Sequence, residues 1–363
     1  MSQEILAKLL PVTANFDLRG VVVDAEPWGS GHINNTYRLT VNQSGLTVHY
    51  ILQGINQNIF PNVPKLMENI QRVTRHIASR NPQDPRASLT IVDARDGKPY
   101  WQNPADKACY RVYVFIEGAK TVDAVTCPEQ AYQAARTFGA FQCALADMPG
   151  APLFESIVDF HHTPTRFQKF LKVLKEDKMD RAKLCQKEID FALAHEKECS
   201  IVVDLLANGG LPPRVTHNDT KINNVMLDAK TGEGVCVIDL DTCMPGSCLY
   251  DFGDEIRTTT ATAAEDERDL SKVRFDLNLF EALVKGYLST AGGFLTPEEK
   301  MLLPFSGRLL TGECGLRFLT DFLEGDVYFK IHRDGHNLDR CRTQFELVAQ
   351  MESLENEMNK FVK

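Results

Sequence analysis

The stretch RVTHNDTKINNVML, residues 214–227, decides how the rest of the chain is interpreted. Its two ends are apolar and strand-like, whereas seven of the eight residues from 217 to 224 are polar or charged. A polar group that is taken out of water costs roughly 2–7 kcal/mol unless it finds a partner. A loop that concentrates such groups between two strands therefore indicates a functional site.

The spacing of three residues in this region indicates what that site does. Asp219 is followed five residues later by Asn224, and Asp239 comes fifteen residues after Asn224, near the end of the strand-like segment VCVIDLD. The D-x-x-x-x-N spacing matches the catalytic loop of protein kinases, where the aspartate accepts the substrate hydroxyl proton and the asparagine holds Mg²⁺. Magnesium prefers oxygen ligands. Each residue alone is typical of a turn, but the three together favour phosphoryl transfer.

A second motif lies near the start of the chain. The segments VVVDAE (21–26) and TYRLTV (36–41) are strand-like and flank WGSGHINN, which contains G-x-G at residues 29–31. Glycines in such a hairpin let backbone N–H groups approach phosphates closely, although an ordinary hairpin turn has the same composition. Asn34 stands where kinases have a third glycine. A strand rather than a helix follows, so this is not a dinucleotide-binding fingerprint.

The order of predicted elements indicates an α+β protein with a protein-kinase-like, two-lobed fold. The first part of the chain is β-rich and contains one amphipathic helix at 63–79, and the later part is mainly helical. We place the boundary between residues 1–117 and 118–363 and expect a ligand cleft between the lobes. Further predicted strands are 46–53, 88–92, 98–102 and 108–116; predicted helices are 128–147, 164–178, 181–207, 277–288 and 344–362, with a β-rich insertion at 214–239.

Composition excludes several classes of function. The net charge of −9 argues against a nucleic-acid partner. No apolar run approaches 18 residues, so no membrane span is predicted, and the polar N-terminus predicts no secretory signal. None of the ten cysteines forms a C-x-x-C pair. We therefore expect a cytoplasmic protein with reduced thiols and see no indication of an obligate protein partner.

Longer motifs reveal a family resemblance. H-N-D-x-x-x-x-N at 217–224 followed by I-D-x-D at 238–241 resembles the aminoglycoside phosphotransferase superfamily, which has a kinase-like fold. More narrowly, four blocks resemble the N-acetylhexosamine 1-kinase family; they span residues 26–37, 214–227, 237–257 and 309–329. This resemblance implies transfer of phosphate from ATP, with Mg²⁺, to the anomeric hydroxyl of N-acetylglucosamine or N-acetylgalactosamine. The expected partners are ATP and a neutral amino sugar.

The resemblance also implies roles for individual residues. Asp219 matches the general base, and Lys221 is placed to neutralise the transferring phosphoryl group. Asn224 and Asp239 match the metal ligands. The residues that match the ATP site are Gly29, Ser30 and Gly31 in the phosphate loop and Phe115, Ile116 and Glu117 in the hinge. His32 and Arg317 match positions that contact the sugar.

Other residues are expected to support the site. Asp251 is predicted to brace the catalytic loop, and His217 to orient it. Gln53 occupies the place of the strand-borne lysine of kinases, so no ion pair with Glu68 is predicted. The pair His161–His162 is interpreted as surface or helix-capping histidines, and the acidic run 264–269 as the solvated face of a helix.

Two other functions stay open from the sequence. One is a kinase for a different small hydroxyl compound, such as an amino alcohol, a thiosugar or an aminoglycoside. The other is a non-catalytic pseudokinase that binds ATP, which the retention of Asp219, Asn224 and Asp239 disfavours. The sequence does not decide between the gluco and galacto epimers or between ATP and GTP.

Overall fold

The computed structural model describes residues 2–29, 31 and 33–363. The strands in this part of the chain are β1 (Val21–Pro27), β2 (Asn35–Gln43), β3 (Leu46–Gly54), β4 (Ile91–Val92), β5 (Trp101–Gln102), β6 (Cys109–Val114), β7 (Ala119–Lys120), β8 (Arg214–Thr216), β9 (Val225–Asp228), β10 (Gly234–Val237) and β11 (Met244–Gly246). The α-helices are α1 (Ser2–Thr13), α2 (Val63–Arg80), α3 (Pro128–Leu145), α4 (Thr163–Glu176), α5 (Gln186–Ala194), α6 (Ile201–Ala207), α7 (Cys248–Thr259), α8 (Leu277–Ala291), α9 (Pro297–Glu324), α10 (His336–Ser353) and α11 (Glu355–Phe361).

The N-terminal part is built on an antiparallel sheet with strand order β1-β2-β3-β6-β4, and β5 pairs with β6. The predicted turn at NQSG joins β2 to β3. Ser44 and Gly45 have left-handed φ angles there, and the Gly45 N–H donates to the Asn42 side chain over 2.9 Å. Alternate residues of β2 and β3 are buried, as their period-two pattern requires.

Helix α2 packs its apolar face into the adjoining core. Leu66, Met67, Ile70 and Val73 recur at helical spacing and are almost fully buried. Pro64 lies in the first turn, where a missing N–H costs nothing, and the Asn62 side chain accepts from the Lys65 N–H at the N-terminus. The helix predicted at 63–79 is therefore present, one residue longer.

The later part of the chain is mainly helical, with short strands that carry the polar motifs. Strand β8 precedes the 217–224 loop and pairs with β11. Strand β9 follows the loop and belongs to a second antiparallel sheet, in the order β10-β9-β7. The 28-residue helix α9 begins with a capping box between Thr296 and Glu299 and ends at Gly325 in a left-handed conformation. No helix of the described residues is long and apolar enough to cross a membrane.

Two predicted helices differ in the structure. The helix predicted at 181–207 is divided into α5, α6 and short 3₁₀ turns. At the break, the His195 ring bonds the Phe191 carbonyl over 2.7 Å, taking the acceptor that a continuing helix would use. The helix predicted at 344–362 begins earlier, after Gly335, and is interrupted at Leu354.

The acidic run 264–269 is an irregular loop rather than a helix face, so that interpretation was wrong. Its carboxylates contact basic side chains from other elements. Glu265 lies 3.4 Å from Arg257 on α7, and Asp266 lies 3.2 Å from Arg333 and 3.0 Å from His336. These tertiary contacts, rather than helical hydrogen bonds, hold the segment in place.

Candidate active site

Two aspartates at the start of α7 hold the backbone of the catalytic loop. The N–H groups of His217 and Asn218 donate to the two oxygens of Asp251 over 2.9 and 2.7 Å. The Thr220 N–H donates to Asp254 over 3.0 Å. Asp251 is fully buried, and its predicted bracing role is confirmed. Asp254, one helical turn later, also accepts a backbone N–H of this loop, and this role was not predicted.

His217 orients the loop, as predicted. Its Nδ1 accepts the N–H of Asp219 over 3.2 Å, and its Nε2 lies 2.8 Å from the carbonyl oxygen of Ile238. A nitrogen that accepts from a backbone N–H carries no proton, so the ring is neutral with its proton on Nε2. The histidine therefore links the catalytic loop to the residue before Asp239.

The Asp219 carboxylate lies among partners that suit a base. Its Oδ2 is 3.0 Å from the Lys221 ammonium and 3.1 Å from Nδ2 of Asn224. Partial burial acts to lower the pKa of Lys221, but Asp219, and then Asp254 and Asp239, together raise it above the ordinary value. Lys221 is therefore a cation at neutral pH, next to the carboxylate.

The two candidate metal ligands are brought together by one backbone hydrogen bond. The Ile238 N–H donates to the Asn224 carbonyl over 2.9 Å, which places Asp239 beside the loop. Asp239 has a left-handed φ of 60°. Burial, followed by the nearby carboxylates of Asp241 and Asp219, raises its pKa to about 6.

These residues fit a magnesium ion. Asn224 turns Nδ2 toward Asp219, which leaves its amide oxygen available. The carboxylate of Asp239 is crowded by two like charges, a situation that a hard cation relieves. The described residues hold no cluster of three or more His, Cys, Asp or Glu side chains arranged for a metal. Magnesium takes one or two carboxylates and completes its shell with water and phosphate, supplying charge neutralisation there.

The two glycines of the hairpin between β1 and β2 are open to their surroundings. A Cβ atom built on Gly29 or Gly31 would meet no atom of the described residues within 4 Å, and Gly29 has a φ of 78°. Predicted contact residues Ser30 and His32 lie outside the described residues. The Trp28 indole packs edge-on against Phe115, with ring centroids 5.7 Å apart.

The hinge segment follows β6 and turns into β7. Ile116 is buried, whereas Glu117 is exposed and bonds the His49 ring over 2.7 Å. The Phe115 N–H is already bonded to the carbonyl of His49 over 3.2 Å. Through Trp28 and Phe115 the structure brings the glycine hairpin and the hinge together.

A model of the phosphotransferase enzyme family matches residues 24–287. The chain belongs to that family. The match spans both the glycine hairpin and the aspartate motifs, so the superfamily-level resemblance is confirmed. The N-acetylhexosamine 1-kinase specificity stays a prediction.

Solved structures of similar fold cover nearly the whole phosphotransferase. A microcompartment-associated aminopropanol kinase is 17% identical with a TM-score of 0.57, over 98% of both chains. An aminoglycoside phosphotransferase from Alicyclobacillus acidocaldarius is 13% identical with a TM-score of 0.60, over 96% of this chain and 95% of that one. A spectinomycin phosphotransferase, solved with ADP and spectinomycin, is 12% identical with a TM-score of 0.56, over 98% and 99%. These likenesses show the fold, and the predicted kinase-like α+β class is confirmed.

This phosphotransferase joins its sheet to the segment carrying Asp239 through contacts that the sequence did not indicate. Arg111 on β6 forms a buried bidentate pair with Asp241 and donates to Gln53 over 2.9 Å. Asn34, at the end of the glycine hairpin, donates to Asp241 over 2.7 Å. The glycine hairpin and the segment carrying Asp239 are thereby held to the same carboxylate.

Helix α2 makes no lysine–glutamate clamp of the kinase type. Glu68 is half-exposed and pairs with Lys65 in its own helix over 2.8 Å. The Gln53 side chain is occupied by Thr36, over 3.1 Å, and by Arg111.

Arg317 lies on α9 and lines a small cavity of about 110 Å³. Its guanidinium faces two aromatic rings, with 5.4 Å to the Phe329 centroid and 6.0 Å to that of Tyr328. Arg166 also lines the cavity, and burial, followed by repulsion from Arg317, lowers the pKa of Arg166. Asp321 and Glu324 also line the cavity, so it presents charges of both signs beside two aromatic rings.

Proposed function

We propose that this phosphotransferase is an ATP- and Mg²⁺-dependent N-acetylhexosamine 1-kinase that converts N-acetylglucosamine or N-acetylgalactosamine into the 1-phosphate. The observation that carries the proposal is the contact of Asp219 with both Lys221 and Asn224, at 3.0 and 3.1 Å. In this assignment Asp219 orients the anomeric hydroxyl and accepts its proton. Lys221 offsets the negative charge of the transferring phosphoryl group.

The proposed ATP site lies between the glycine hairpin and the hinge. Gly29, Ser30 and Gly31 would bind phosphates through backbone N–H groups, and backbone groups from Phe115 to Glu117 would recognise the base. The open space at both glycines and the Trp28–Phe115 contact support this arrangement. Asn224 and Asp239 would hold the magnesium ion that accompanies the phosphates.

The acceptor is proposed to be a neutral amino sugar bound by His32 and Arg317. The resemblance of block 309–329 to the N-acetylhexosamine 1-kinases supports this. Glu313, four residues before Arg317 on α9, bonds His161, which in turn bonds the residue before Asp219. Arg166 and Arg317 repel each other in that cavity, and neither side chain would attract a polycationic aminoglycoside.

An amino alcohol is the second candidate acceptor. In addition to burial, the carboxylates of Asp241 and Asp219 raise the pKa of Asp239. A small cation would be attracted to this group of carboxylates. The proposed organisation, a nucleotide-binding lobe at 1–117, a catalytic and sugar-binding lobe at 118–363 and a cytoplasmic location, is the same for either acceptor.

The test is ADP release with N-acetylglucosamine, N-acetylgalactosamine, ethanolamine or no acceptor. The proposal expects acceptor-dependent ADP with the two sugars and the no-acceptor rate with ethanolamine. Asp219→Asn should lower kcat by about 10²–10⁴-fold while ADP binding stays nearly unchanged. The matched control is Asp228→Asn, which should keep full activity. Asp228 lies on β9, and its carboxylate pairs with Arg86. Asp219→Asn protein that retains more than about a tenth of wild-type kcat would contradict the role of Asp219 as base.

A further inference from the structure

His161 is a buried histidine that lies outside the 217–224 motif but contacts the loop that this motif forms. Its side chain is 7% exposed, and both ring nitrogens are bonded. Nδ1 lies 3.0 Å from a carboxylate oxygen of Glu313, and Nε2 lies 3.2 Å from the carbonyl oxygen of Asn218. The interpretation of His161 as a surface or capping residue was wrong, whereas His162 does cap α4.

The partners of His161 fix its protonation state. A carbonyl oxygen only accepts, so Nε2 must carry a proton. The second oxygen of Glu313 accepts the hydroxyl of Thr163 over 2.6 Å. Burial acts to raise the pKa of Glu313, but the hydrogen bond and charge of His161, the Thr163 hydroxyl and the charge of Arg317 together outweigh burial, and the net pKa is lowered. Glu313 is therefore a carboxylate, and Nδ1 carries a proton as well. The ring is an imidazolium.

His161 and His217 hold opposite ends of one peptide group. In the peptide group between Asn218 and Asp219, the N–H donates a hydrogen bond to neutral His217 and the carbonyl oxygen accepts one from His161. Asn218 has a φ of 65°, a conformation that non-glycine residues rarely adopt. The orientation of this peptide directs the Asp219 side chain, so both hydrogen bonds control where the carboxylate points.

We propose that His161, kept as an imidazolium by Glu313, is a positioning residue that fixes the peptide preceding Asp219. At alkaline pH the ring loses one proton to solvent and keeps the other on Nδ1, facing the Glu313 carboxylate, so Nε2 no longer donates, the carbonyl of Asn218 is released and turnover slows. The inference rests on the proposed role of Asp219 in catalysis. The protonation state itself is a property of the protein without any acceptor.

The charges around the ring favour the proton. From α9 it faces Glu313, and from α7 it faces Asp254 and the ring of Tyr250, whose centroid is 5.3 Å away. Arg317 on α9 lowers the pKa of Glu313 and so favours its carboxylate form, and Glu313 also interacts with Arg166 on α4. Burial opposes the proton on His161, yet the carboxylates outweigh burial, and the net pKa of His161 is raised. Because the pKa is raised, the imidazolium is present at low pH and is lost as the pH rises through the shifted value.

The direct test is nitrogen NMR of the protein labelled with ¹⁵N-histidine. His161→Gln identifies the signals by their loss. At about pH 7.5, where an ordinary histidine with a pKa of about 6.5 is mostly neutral, both nitrogens of His161 should be protonated and those of His217 should show the Nε2–H tautomer. A neutral His161 at that pH would overturn the proposal. This measurement needs no acceptor, so its result tests the protonation of His161 whether or not the proposed function is correct.

Kinetics separate positioning from a merely structural role. His161→Gln keeps one neutral donor and should lower kcat by about 10- to 100-fold, with KM for ATP nearly unchanged. Glu313→Gln should move the alkaline fall of kcat to lower pH. His195→Gln is the matched control, because His195 also bonds one carboxylate and one carbonyl, those of Glu352 and Phe191. Unchanged kcat and pH profiles in both folded test variants would contradict the proposal.

Discussion

Arg111 and Asp241 form a buried bidentate ion pair that joins the antiparallel sheet to the loop carrying Asp239. Their side chains are only 1% and 3% exposed, and Nη2 of Arg111 lies 2.9 Å from Oδ2 of Asp241. Asn34 bonds the same carboxylate. The glycine hairpin, the sheet and the segment carrying Asp239 are thus fixed to one another through the side chain of Asp241.

Arg111→Met should destabilise the protein by about 3–5 kcal/mol, because it leaves the Asp241 carboxylate buried without its partner. Chemical denaturation followed by circular dichroism measures the loss. Arg80→Met is the control, since the Arg80–Asp147 pair is largely exposed and such pairs contribute about 0–1 kcal/mol. Equal effects of the two substitutions would show that the buried pair has no special role.

Mg²⁺ with ADP should raise the melting temperature of the wild-type protein and should fail to raise that of Asp239→Ala. A ligand that binds only the folded state stabilises it, and a methyl group cannot replace an oxygen ligand. Differential scanning calorimetry with and without EDTA provides the comparison. Asp228→Asn, outside the cleft, should respond to Mg²⁺ and ADP like the wild type. An equal response of Asp239→Ala would remove Asp239 from the metal site.

Glu255→Gln should stabilise the protein at neutral pH. Glu255 is 1% exposed, and neither of its oxygens has a hydrogen-bond partner among the described residues. Burial, followed by the charges of Asp251 and Asp254, raises its pKa well above the ordinary value. A raised acid pKa means that stability falls as the pH rises above the unfolded-state pKa of about 4.3.

The gain from Glu255→Gln should therefore grow from about pH 4.3 toward neutrality and vanish below that pH. Denaturation midpoints measured at acidic and neutral pH check the trend. Glu4→Gln, an exposed glutamate on α1, should leave the midpoints unchanged at both. A variant that is less stable than the wild type at neutral pH would indicate that Glu255 is a needed carboxylate.

The central part of the site could be predicted because its signals are local in sequence. Asp219 and Asn224 share one short loop, and Asp239 follows at the end of the next hairpin. Period-two and helical spacing predicted the sheet and α2 for the same reason. Asp251 was found because it lies in a block that resembles the family.

The supporting contacts could not be predicted because their partners are distant in sequence. Arg111 and Asp241 are 130 positions apart, and His161 and Glu313 are 152 apart. A lone arginine on a strand or a histidine before a helix carries no local sign of its partner. The acidic run 264–269 was misassigned for the same reason, since charge alone does not reveal tertiary ion pairs.

The central claim is that the anomeric oxygen of an N-acetylhexosamine receives the phosphate. Its most direct test is the phosphorus–proton NMR spectrum of the product formed from N-acetylglucosamine, ATP and Mg²⁺, with Asp219→Asn protein as the control. The claim predicts coupling of phosphorus to H1, no product from the 1-O-methyl glycoside and almost none with the control protein. Coupling to the H6 protons, phosphorylation of the methyl glycoside, or phosphate transfer only to an amino alcohol would contradict it.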